Sequence, residues 1–442
     1  MTKPPITVKA THTVVNATPE RLELLDVPFW LGPLDHLIYP SVPINVIWIY
    51  QPSTEFSSEL VPISRLRIAL SILLDYYPTL TGRLSIEPDS CRRYLDRFGT
   101  GIPLLEATCD EALTVFSGSA DGIFDIFNFP SAGDSLLGPW QGSIESAQRD
   151  SLLTVRHTRF ACGSVAVGLR IAHMMCDAGG FLQFYQDLAQ LYRALASGAE
   201  TTPKLDVAPA IEPFLFGKIA GMSDEEREAA VKDQPQRFSL APDPALTSAP
   251  ADEGDTVPDV KETPTSPPIK GRTMHFSAAE LSAIKKLATP PSGSSWVSTF
   301  SALSAHIFQC VHKARLAHLE AENLPASSLA TPSFLTSIKC SSQLGFPSKY
   351  FPNAVITPFA EYPLYSGAEL DVAPVFVSPS FTLTALVDGL AYFLQPKNLN
   401  GDIGVLMSLS EPVWGHLGSD NGFRHLELSN QSLAAVETFG VL

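Results

Sequence analysis

Residues 164–180, SVAVGLRIAHMMCDAGG, combine a strand pattern, a polar turn and a helix start in one short stretch. Apolar side chains stand at alternate positions, which is typical of a half-buried β-strand, at Val165, Val167, Leu169 and Ile171. A helical pattern follows at once, with an apolar stripe formed by Phe181, Phe184, Tyr185, Leu188, Leu191 and Tyr192. The chain must therefore pass directly from a strand through a sharp turn into an amphipathic helix.

The turn itself carries His173 and, four positions later, Asp177, followed by Gly179 and Gly180. A neutral imidazole can take a proton from a hydroxyl or an amine near neutral pH, because its unperturbed pKa is about 6.5. Asp177 either pairs with the imidazole or turns away and holds the loop, and the glycines let the backbone approach a ligand. The spacing alone is equally compatible with a core histidine beside a turn aspartate, so the context must decide.

Length and charge restrict the class of protein. A chain of 442 residues suits two domains, and its formal net charge of -16 argues against a nucleic-acid or anionic-membrane surface. An anionic small ligand would need a local basic pocket, for which the candidates are Lys270, Arg272, Lys313, Arg315 and Lys349. The N-terminal residues lack the apolar core of a signal peptide, and no apolar run is long enough to span a bilayer. We therefore predict a cytoplasmic protein.

The cysteine pattern predicts reduced thiols. None of the six cysteines forms a C-x-x-C pair, and no Cys/His cluster has zinc spacing, so no zinc site is predicted. Cys176 lies close to His173 and could be read as a nucleophile with its base. Nothing in the surrounding sequence is built to lower the pKa of a thiol, which favours a structural role for Cys176.

Mixed strands and helices are predicted along both halves of the chain. The predicted strands are 6–16, 44–50, 79–84, 273–276, 329–340 and 350–358. Helices are predicted at 64–77, after Ser277, at 296–316 and at 382–394. The apolar stripe of the first is formed by Leu66, Leu70, Leu73 and Leu74, and the second starts with a capping box of Ser277 and Glu280. Trp296, Phe300, Leu303, Ile307 and Val311 are expected to share one face of the helix 296–316.

The region 200–270 changes character. Residues 223–233 form a charged helical fragment with a capping box at Ser223 and Glu226, and residues 235–270 are dense in Pro, Ala, Ser, Thr, Asp and Glu. Such a composition buries too little apolar surface to fold, which indicates a linker or crossover. We predict an N-terminal lobe at 1–200, a crossover at 201–270 and a C-terminal lobe at 271–442, with the site in the cleft between the lobes.

Five segments together resemble the BAHD acyl-CoA-dependent acyltransferases. They are LGPLDHL at 31–37, YYPTLTGRL at 76–84, IAHMMCDAGGF at 171–181, VSTFSALSAHIFQCVHKAR at 297–315 and KYFPNAV at 349–355. The third resembles the family's HxxxDG motif with Ala178 in place of the first glycine, and the fourth is the most specific match. The segments run in family order over nearly the whole chain, and the Pro-rich stretch falls at the family's crossover loop.

The resemblance implies a fold of two similar-sized mixed-sheet lobes, similar to chloramphenicol acetyltransferase, with an active-site channel between them. It implies transfer of an acyl group from an acyl-CoA co-substrate to a hydroxyl or amine of a small-molecule acceptor, with O-acylation favoured and with no metal or bound cofactor. It also implies a monomeric enzyme of secondary metabolism. His173 would be the general base and Asp177 a structural member of the catalytic pair. Substrate-binding positions implied by the matching are Asp35, Met174, Gly179, Gly180, Ser298, Thr299 and Asn353.

Three departures from the family pattern leave alternatives open. The family's arginine partner of the motif aspartate corresponds to Ser337-Ile338-Lys339, its DFGWG motif has only the echo Glu437–Gly440, and its Ser-Trp pair reads Ser429-Asn430. The C-terminal lobe is therefore expected to lack the family's last strands. One alternative is a non-catalytic or truncated homologue that binds without turnover. Another is a condensation-type enzyme with a carrier-bound acyl group, although Ala172 stands where those domains carry a second histidine.

Overall fold

The structure is a computed structural model of the 442-residue chain. It describes residues 6–53, 59–117, 124–198, 202–215, 223, 225, 267–289, 296–329, 334, 345–353, 364–381, 387–394, 397 and 401–424. Within these residues the strands are β1 (Ile6–Val14), β2 (Phe29–Trp30), β3 (Pro43–Tyr50), β4 (Arg83–Ile86), β5 (Arg93–Asp96), β6 (Ile102–Cys109), β7 (Leu153–Phe160), β8 (Val165–Ala172), β9 (Ile269–Phe276), β10 (Phe376–Ser378), β11 (Ala391–Leu394) and β12 (Ile403–Ser410). The α-helices there are α1 (Ile63–Leu74), α2 (Ile144–Arg149), α3 (Ala178–Ala196), α4 (Ala278–Ala288), α5 (Thr299–Ala321), α6 (Glu411–Ser419) and α7 (Asn421–Arg424).

The described strands form a large mixed sheet and two smaller sheets. The large sheet has the order β1-β6-β7-β8-β3-β10, in which β6 and β7 are parallel and the other pairs are antiparallel. The smaller sheets have the orders β11-β12-β9 and β2-β5-β4. The predicted mixture of strands and helices is confirmed.

Strand β8 lies inside the large sheet and is buried on both faces. All eight of its residues are buried, so the prediction of a half-buried strand is wrong. One face of the sheet is covered by α3, where the Tyr185 ring stacks on Trp48 of β3 with ring centroids 3.5 Å apart. The other face is covered by residues 130–138, and the buried Arg170 donates hydrogen bonds there to Gly138 and Asp134. An alternating sequence became fully buried because this turn segment covers the face that the pattern left open.

The predicted helix 64–77 and the helix predicted directly after Gly180 are confirmed as α1 and α3, which pack on each other. Every residue of the predicted α3 stripe is buried, and so are the four predicted leucines of α1. Helix α1 ends at Leu74 instead of Tyr77 because Pro78 starts a 3-10 turn that precedes β4.

A second hydrophobic core forms between the sheet β11-β12-β9 and the helices α4, α5 and α6. The predicted capping box at the start of α4 is present, since Ser277 and Glu280 cap each other's backbone N–H groups. Helix α5 begins at Thr299, where Ser298 is the N-cap, so Trp296 precedes the helix and is 82% exposed. The prediction that Trp296 joins the apolar face of this helix is therefore wrong.

The segment 364–381 returns to the first core. Strand β10 pairs with β3, and the buried Trp48 and Tyr50 of β3 donate hydrogen bonds to the carbonyl oxygens of Leu364 and Ala368. The predicted helix over 382–394 is wrong at its C-terminal end, because residues 391–394 form β11. The described helices include none with the length and hydrophobicity needed to span a lipid bilayer.

Some predictions concern residues outside the described ranges. These are the strands predicted at 329–340 and 350–358 for their greater part, most of the fragment 223–233 and of the linker 235–270, Ser337-Ile338-Lys339, Ser429-Asn430 and Glu437–Gly440. The division of the chain at residues 200 and 270 stays a prediction.

The close cover over β8 predicts that Gly168→Ala destabilises the protein. A Cβ at Gly168 would lie 2.0 Å from the carbonyl oxygen of Leu136, so either the strand or residues 130–138 must shift. We expect the free energy of unfolding to fall by about 1–3 kcal/mol, measured by urea denaturation. The matched control is Gly415→Ala in α6, where a Cβ meets nothing within 4 Å; there we expect no loss, or a gain of about 0.5–1 kcal/mol. Equal stability of the two variants would contradict this packing.

Candidate active site

His173 stands where β8 leaves the large sheet. The 3-10 turn His173–Met175 follows the strand directly, and the backbone N–H of His173 donates to the carbonyl oxygen of Val42 over 2.9 Å. The imidazole Nδ1 lies 3.1 Å from the carbonyl oxygen of Cys176. A carbonyl oxygen only accepts hydrogen bonds, so Nδ1 carries the proton and Nε2 carries the lone pair. The side chain is thus held in the tautomer in which Nε2 is the base.

The electrostatics keep this imidazole neutral. Burial lowers the pKa of His173 below its usual 6.5, because a charged ring loses hydration there. Hydrogen bonding to the Cys176 carbonyl and the negative charge of Asp177 oppose that shift and raise the pKa in part. At neutral pH the ring can therefore accept a proton, and the carboxylate nearby favours the imidazolium that forms.

Asp177 holds the turn into α3. It is the N-cap residue of the helix, and its carboxylate accepts a hydrogen bond from the backbone N–H of Gly180 over 3.0 Å. Of the two roles that the sequence left open, the hydrogen bonding supports the one that holds the loop, since Nδ1 of His173 bonds to Cys176. Gly180 is required for space, because a Cβ there would lie 2.3 Å from the carbonyl oxygen of Phe351. Gly179 lies beside it and is half-buried.

Asp35 and Asn353 lie directly beneath the His173 turn. The Asn353 side-chain Nδ2 donates to a carboxylate oxygen of Asp35 over 3.0 Å, to the carbonyl oxygen of Met174 over 3.0 Å and to that of His173 over 3.2 Å. The backbone N–H groups of Asn353 and Gly32 also donate to Asp35, over 3.1 and 2.9 Å. Both side chains are buried, with 2% of Asp35 and 5% of Asn353 exposed.

Burial dominates the titration of Asp35. Loss of hydration raises its pKa from 3.8 to about 6, and the three hydrogen bonds from Asn353 and Gly32 partly oppose this shift. The nearby negative charge of Asp177 raises the pKa of Asp35 further. Asp35 is therefore a carboxylate whose ionised form is held by N–H donors at neutral pH.

The side chains of Met174 and Cys176 are packed in the core. The Met174 side chain is fully buried in the core, and only its carbonyl oxygen takes part in the contacts above. Cys176 is also fully buried, and burial raises the pKa of its thiol well above the usual value. A thiol in that environment stays protonated, so the structure favours the structural role for Cys176 over the nucleophilic one.

Ser298 and Thr299 lie at the start of α5, a helix whose buried residues belong to the second core. Ser298 caps α5 by accepting a hydrogen bond from the backbone N–H of Ser301 over 2.9 Å. Among the described residues, neither Ser298 nor Thr299 forms a hydrogen bond to the His173 turn. The structure thus brings together the predicted site residues Asp35, His173, Met174, Asp177, Gly179, Gly180 and Asn353. The assignment of Ser298 and Thr299 to the site stays a prediction.

Four of the five basic candidates for an anion site have intramolecular partners. Lys349 pairs with the buried Asp187 over 2.6 Å, Arg315 pairs with Asp388 over 2.7 Å, and Lys270 pairs with Glu411. The Arg272 guanidinium lies over the Trp414 ring. Within the described part of the chain, no three His, Cys, Asp or Glu side chains are grouped to hold a metal ion.

Sequence reasoning missed the contacts that orient His173. Asp35 and Asn353 are 318 positions apart, and no local pattern pairs an aspartate with an asparagine at such a distance. The bond between Nδ1 of His173 and the Cys176 carbonyl was also missed, because a backbone acceptor leaves no mark in the side-chain sequence. The family-like segments around Asp35 and Asn353 were the signal available, and they marked both residues without their relation.

Comparison with known proteins places the chain in a family. Residues 4–370 match the family model described as "Transferase family". The (Z)-3-hexen-1-ol acetyltransferase of Arabidopsis thaliana is 28% identical over 267 residues, which cover 60% of this chain and 50% of that protein. The chain thus spans half the length of this curated relative.

Two solved structures share the fold. Vinorine synthase matches with a TM-score of 0.63 and 15% identity, covering 95% of this chain and 98% of that one. The structure titled "F. graminearum TRI101 complexed with Coenzyme A and Deoxynivalenol" matches with a TM-score of 0.60 and 15% identity, covering 90% and 98%. The two-lobed α/β fold predicted from the sequence is confirmed, and since the family model covers most of its residues, the chain belongs to the BAHD transferase family.

Proposed function

We propose that the protein is an acyl-CoA-dependent O-acyltransferase in which His173 is the general base. The observation that carries the proposal is the imidazole itself. It lies at the end of a buried strand, its Nδ1–H is held by the Cys176 carbonyl, its pKa is lowered by burial, and its Nε2 is therefore a neutral base at physiological pH.

The reaction follows from this arrangement. Nε2 takes the proton from the hydroxyl of the acceptor while the hydroxyl oxygen attacks the carbonyl carbon of the acyl-CoA thioester. The tetrahedral intermediate collapses as its C–S bond breaks, and the imidazolium returns the proton to the CoA thiolate. The products are an ester and free CoA, so atoms and charge balance. Asp177 contributes by stabilising the transient imidazolium and by holding the turn through its N-cap bond to Gly180.

Relatives support the choice of donor and acceptor. One is named for acetyl transfer to an alcohol, and one structural neighbour is titled as a complex with coenzyme A and a small molecule. We extend this to a donor site for acyl-CoA and an acceptor site for a small alcohol in a channel between the two lobes. Ser298 and Thr299 at the start of α5, together with the His173 turn, are the proposed substrate-binding positions. We further propose a cytoplasmic monomer with no resident metal or cofactor.

Replacement of the base tests the mechanism. We expect His173→Ala to lower kcat/KM for acetyl transfer to a primary alcohol by about 10²–10⁴-fold, because general base catalysis contributes about that factor. The assay follows CoA release with a thiol reagent under saturating acetyl-CoA. The matched control is His12→Ala. His12 lies on the edge strand β1, where it pairs with Glu106 of β6, and it is outside the proposed site. A His173→Ala variant with full activity would refute the proposed base.

The pH profile tests the state of His173. Because burial lowers the pKa of the imidazole, the base stays unprotonated until the pH falls below its usual 6.5. We expect kcat/KM to be constant from neutral pH upward and to fall as the imidazole protonates, with an apparent pKa below about 6.5. The measurement covers about pH 5 to 9 at constant ionic strength with stability checked at each point. An activity that rises as the pH is lowered would contradict a neutral imidazole base.

Ligand-induced stabilisation tests the donor. A ligand that binds only the folded protein increases the free energy of unfolding by mass action, by about 2.7 kcal/mol at a hundred times its Kd, and so raises the melting temperature. We expect a saturable rise with CoA and with acetyl-CoA in thermal unfolding of the full chain. ATP at equal concentration is the control for unspecific polyanion binding. Shifts that are equal for ATP and CoA, or absent for both, would favour a homologue without a donor site.

A further inference from the structure

The amide of Asn353 can face the His173 turn in one orientation only. Its three neighbours are the Asp35 carboxylate and the carbonyl oxygens of His173 and Met174, and all three accept hydrogen bonds. The NH₂ group must therefore point toward them, and its two hydrogens serve three acceptors. The Asp35 carboxylate in turn accepts from Nδ2 and from two backbone N–H groups.

The backbone just before Asn353 is fixed by contacts with other parts of the chain. The Lys349 carbonyl oxygen accepts from the N–H of Ala210, and the Phe351 N–H donates to the Ala210 carbonyl, over 2.8 and 3.0 Å. The Phe351 ring packs edge-on against Tyr77 with centroids 4.8 Å apart. The amide thus reaches the turn from a fixed backbone, independently of β8.

The carbonyl oxygens of His173 and Met174 need such a donor. The chain has left the sheet at this point, so the ladder with β3 no longer supplies N–H groups. The contact of the Met174 carbonyl with Asn353 is buried and that of the His173 carbonyl is partly buried, so both oxygens depend on a protein donor. We infer that Asp35 and Asn353 are positioning residues for acyl transfer: the amide holds these two carbonyl oxygens, the carboxylate holds the amide, and together they fix the direction of the His173 imidazole. The inference rests on the proposed function, since it assumes that His173 is the base.

The carboxylate cannot be exchanged for an amide without loss. Every group that faces Asp35 in the described contacts is an N–H donor, so a side-chain NH₂ at position 35 would oppose either Gly32 or Asn353. A charged acceptor also forms stronger hydrogen bonds than a neutral one. Burial raises the pKa of Asp35, which shows that the ionised carboxylate is held here at a cost in hydration.

Three variants test the assignment by steady-state kinetics of the full chain with acetyl-CoA and a primary alcohol. We expect Asn353→Ala to lower kcat by about 100-fold with little change in the KM of the donor, because misplacing a catalytic group by about 1 Å costs about that factor. Asp35→Asn should lower kcat in the same way. The exchange Asp35→Asn with Asn353→Asp should not restore it, since a carboxylate at 353 would repel the two carbonyl oxygens.

Asn45→Ala is the matched control. Asn45 is a buried asparagine of β3 whose side chain accepts two hydrogen bonds from Ser380, and it does not bond to the His173 turn. We expect Asn45→Ala to lower the free energy of unfolding about as much as Asn353→Ala does, while its kcat stays within about threefold of the wild type. A kcat of Asn353→Ala that matches the wild type or the Asn45→Ala control would overturn the inference, and so would rescue by the exchanged pair.

Hydrogen exchange of residues 173–177, followed by mass spectrometry, provides a readout that does not need activity. We expect Asn353→Ala and Asp35→Asn to accelerate exchange in this turn by about tenfold or more, and Asn45→Ala to leave it unchanged. Unchanged exchange in the first two variants would overturn the inference even if one of them folds poorly. If the wild-type chain transfers no acyl group while its turn is still loosened by Asn353→Ala, the proposed function fails and the positioning of the turn stands.

Discussion

Buried backbone polar groups must find partners, and this requirement shapes the region where β8 ends. Up to Ala172 the ladders with β3 and β7 supply those partners. Beyond it the N–H of His173 turns to Val42, the carbonyls of His173 and Met174 turn to Asn353, and the Cys176 carbonyl accepts from the His173 ring. The proposed catalytic side chain is thereby one of the partners that allow the turn to be buried. The same hydrogen bond to the Cys176 carbonyl fixes the tautomer of His173.

Local patterns determined what could be predicted. The stripe of α3 and the capping box of Ser277 and Glu280 were predicted because both depend on residues within one or two turns of a helix. Trp296 was misplaced because an apolar spacing continues across the N-cap at Ser298, where the helix itself stops. The apolar run at 391–394 suits a helix or a strand, so the sequence pattern alone predicts the wrong one, and pairing with β12 makes it a strand.

The large sheet shows why the contacts within the site could not be predicted from local sequence patterns. Its last strand, β10, comes from the C-terminal part of the chain, and the polar groups of β3 explain its position. Trp48, Tyr50 and Asn45 are buried, and their side chains bond to Leu364, Ala368 and Ser380 respectively. Asp35 and Asn353 follow the same rule over a separation of 318 residues. Such pairs give buried polar groups their hydrogen-bond partners in the folded structure, and no spacing along the sequence predicts them.

Three buried carboxylates show how the surroundings of His173 differ from ordinary structural sites. Asp187 is paired with Lys349 and Glu280 with Arg424, so each negative charge has a cation. Asp35 is held by N–H groups alone among the described residues, and its pKa is raised to about 6. A cation paired with Asp35 would place a positive charge close to the turn, whereas the neutral donors place none there. The negative charge of Asp177 then acts on His173 and raises its pKa in part. Neutral hydrogen-bond donors are therefore the partners of Asp35 that suit a general base at His173, because they hold the carboxylate without a positive charge beside the imidazole that takes up the proton.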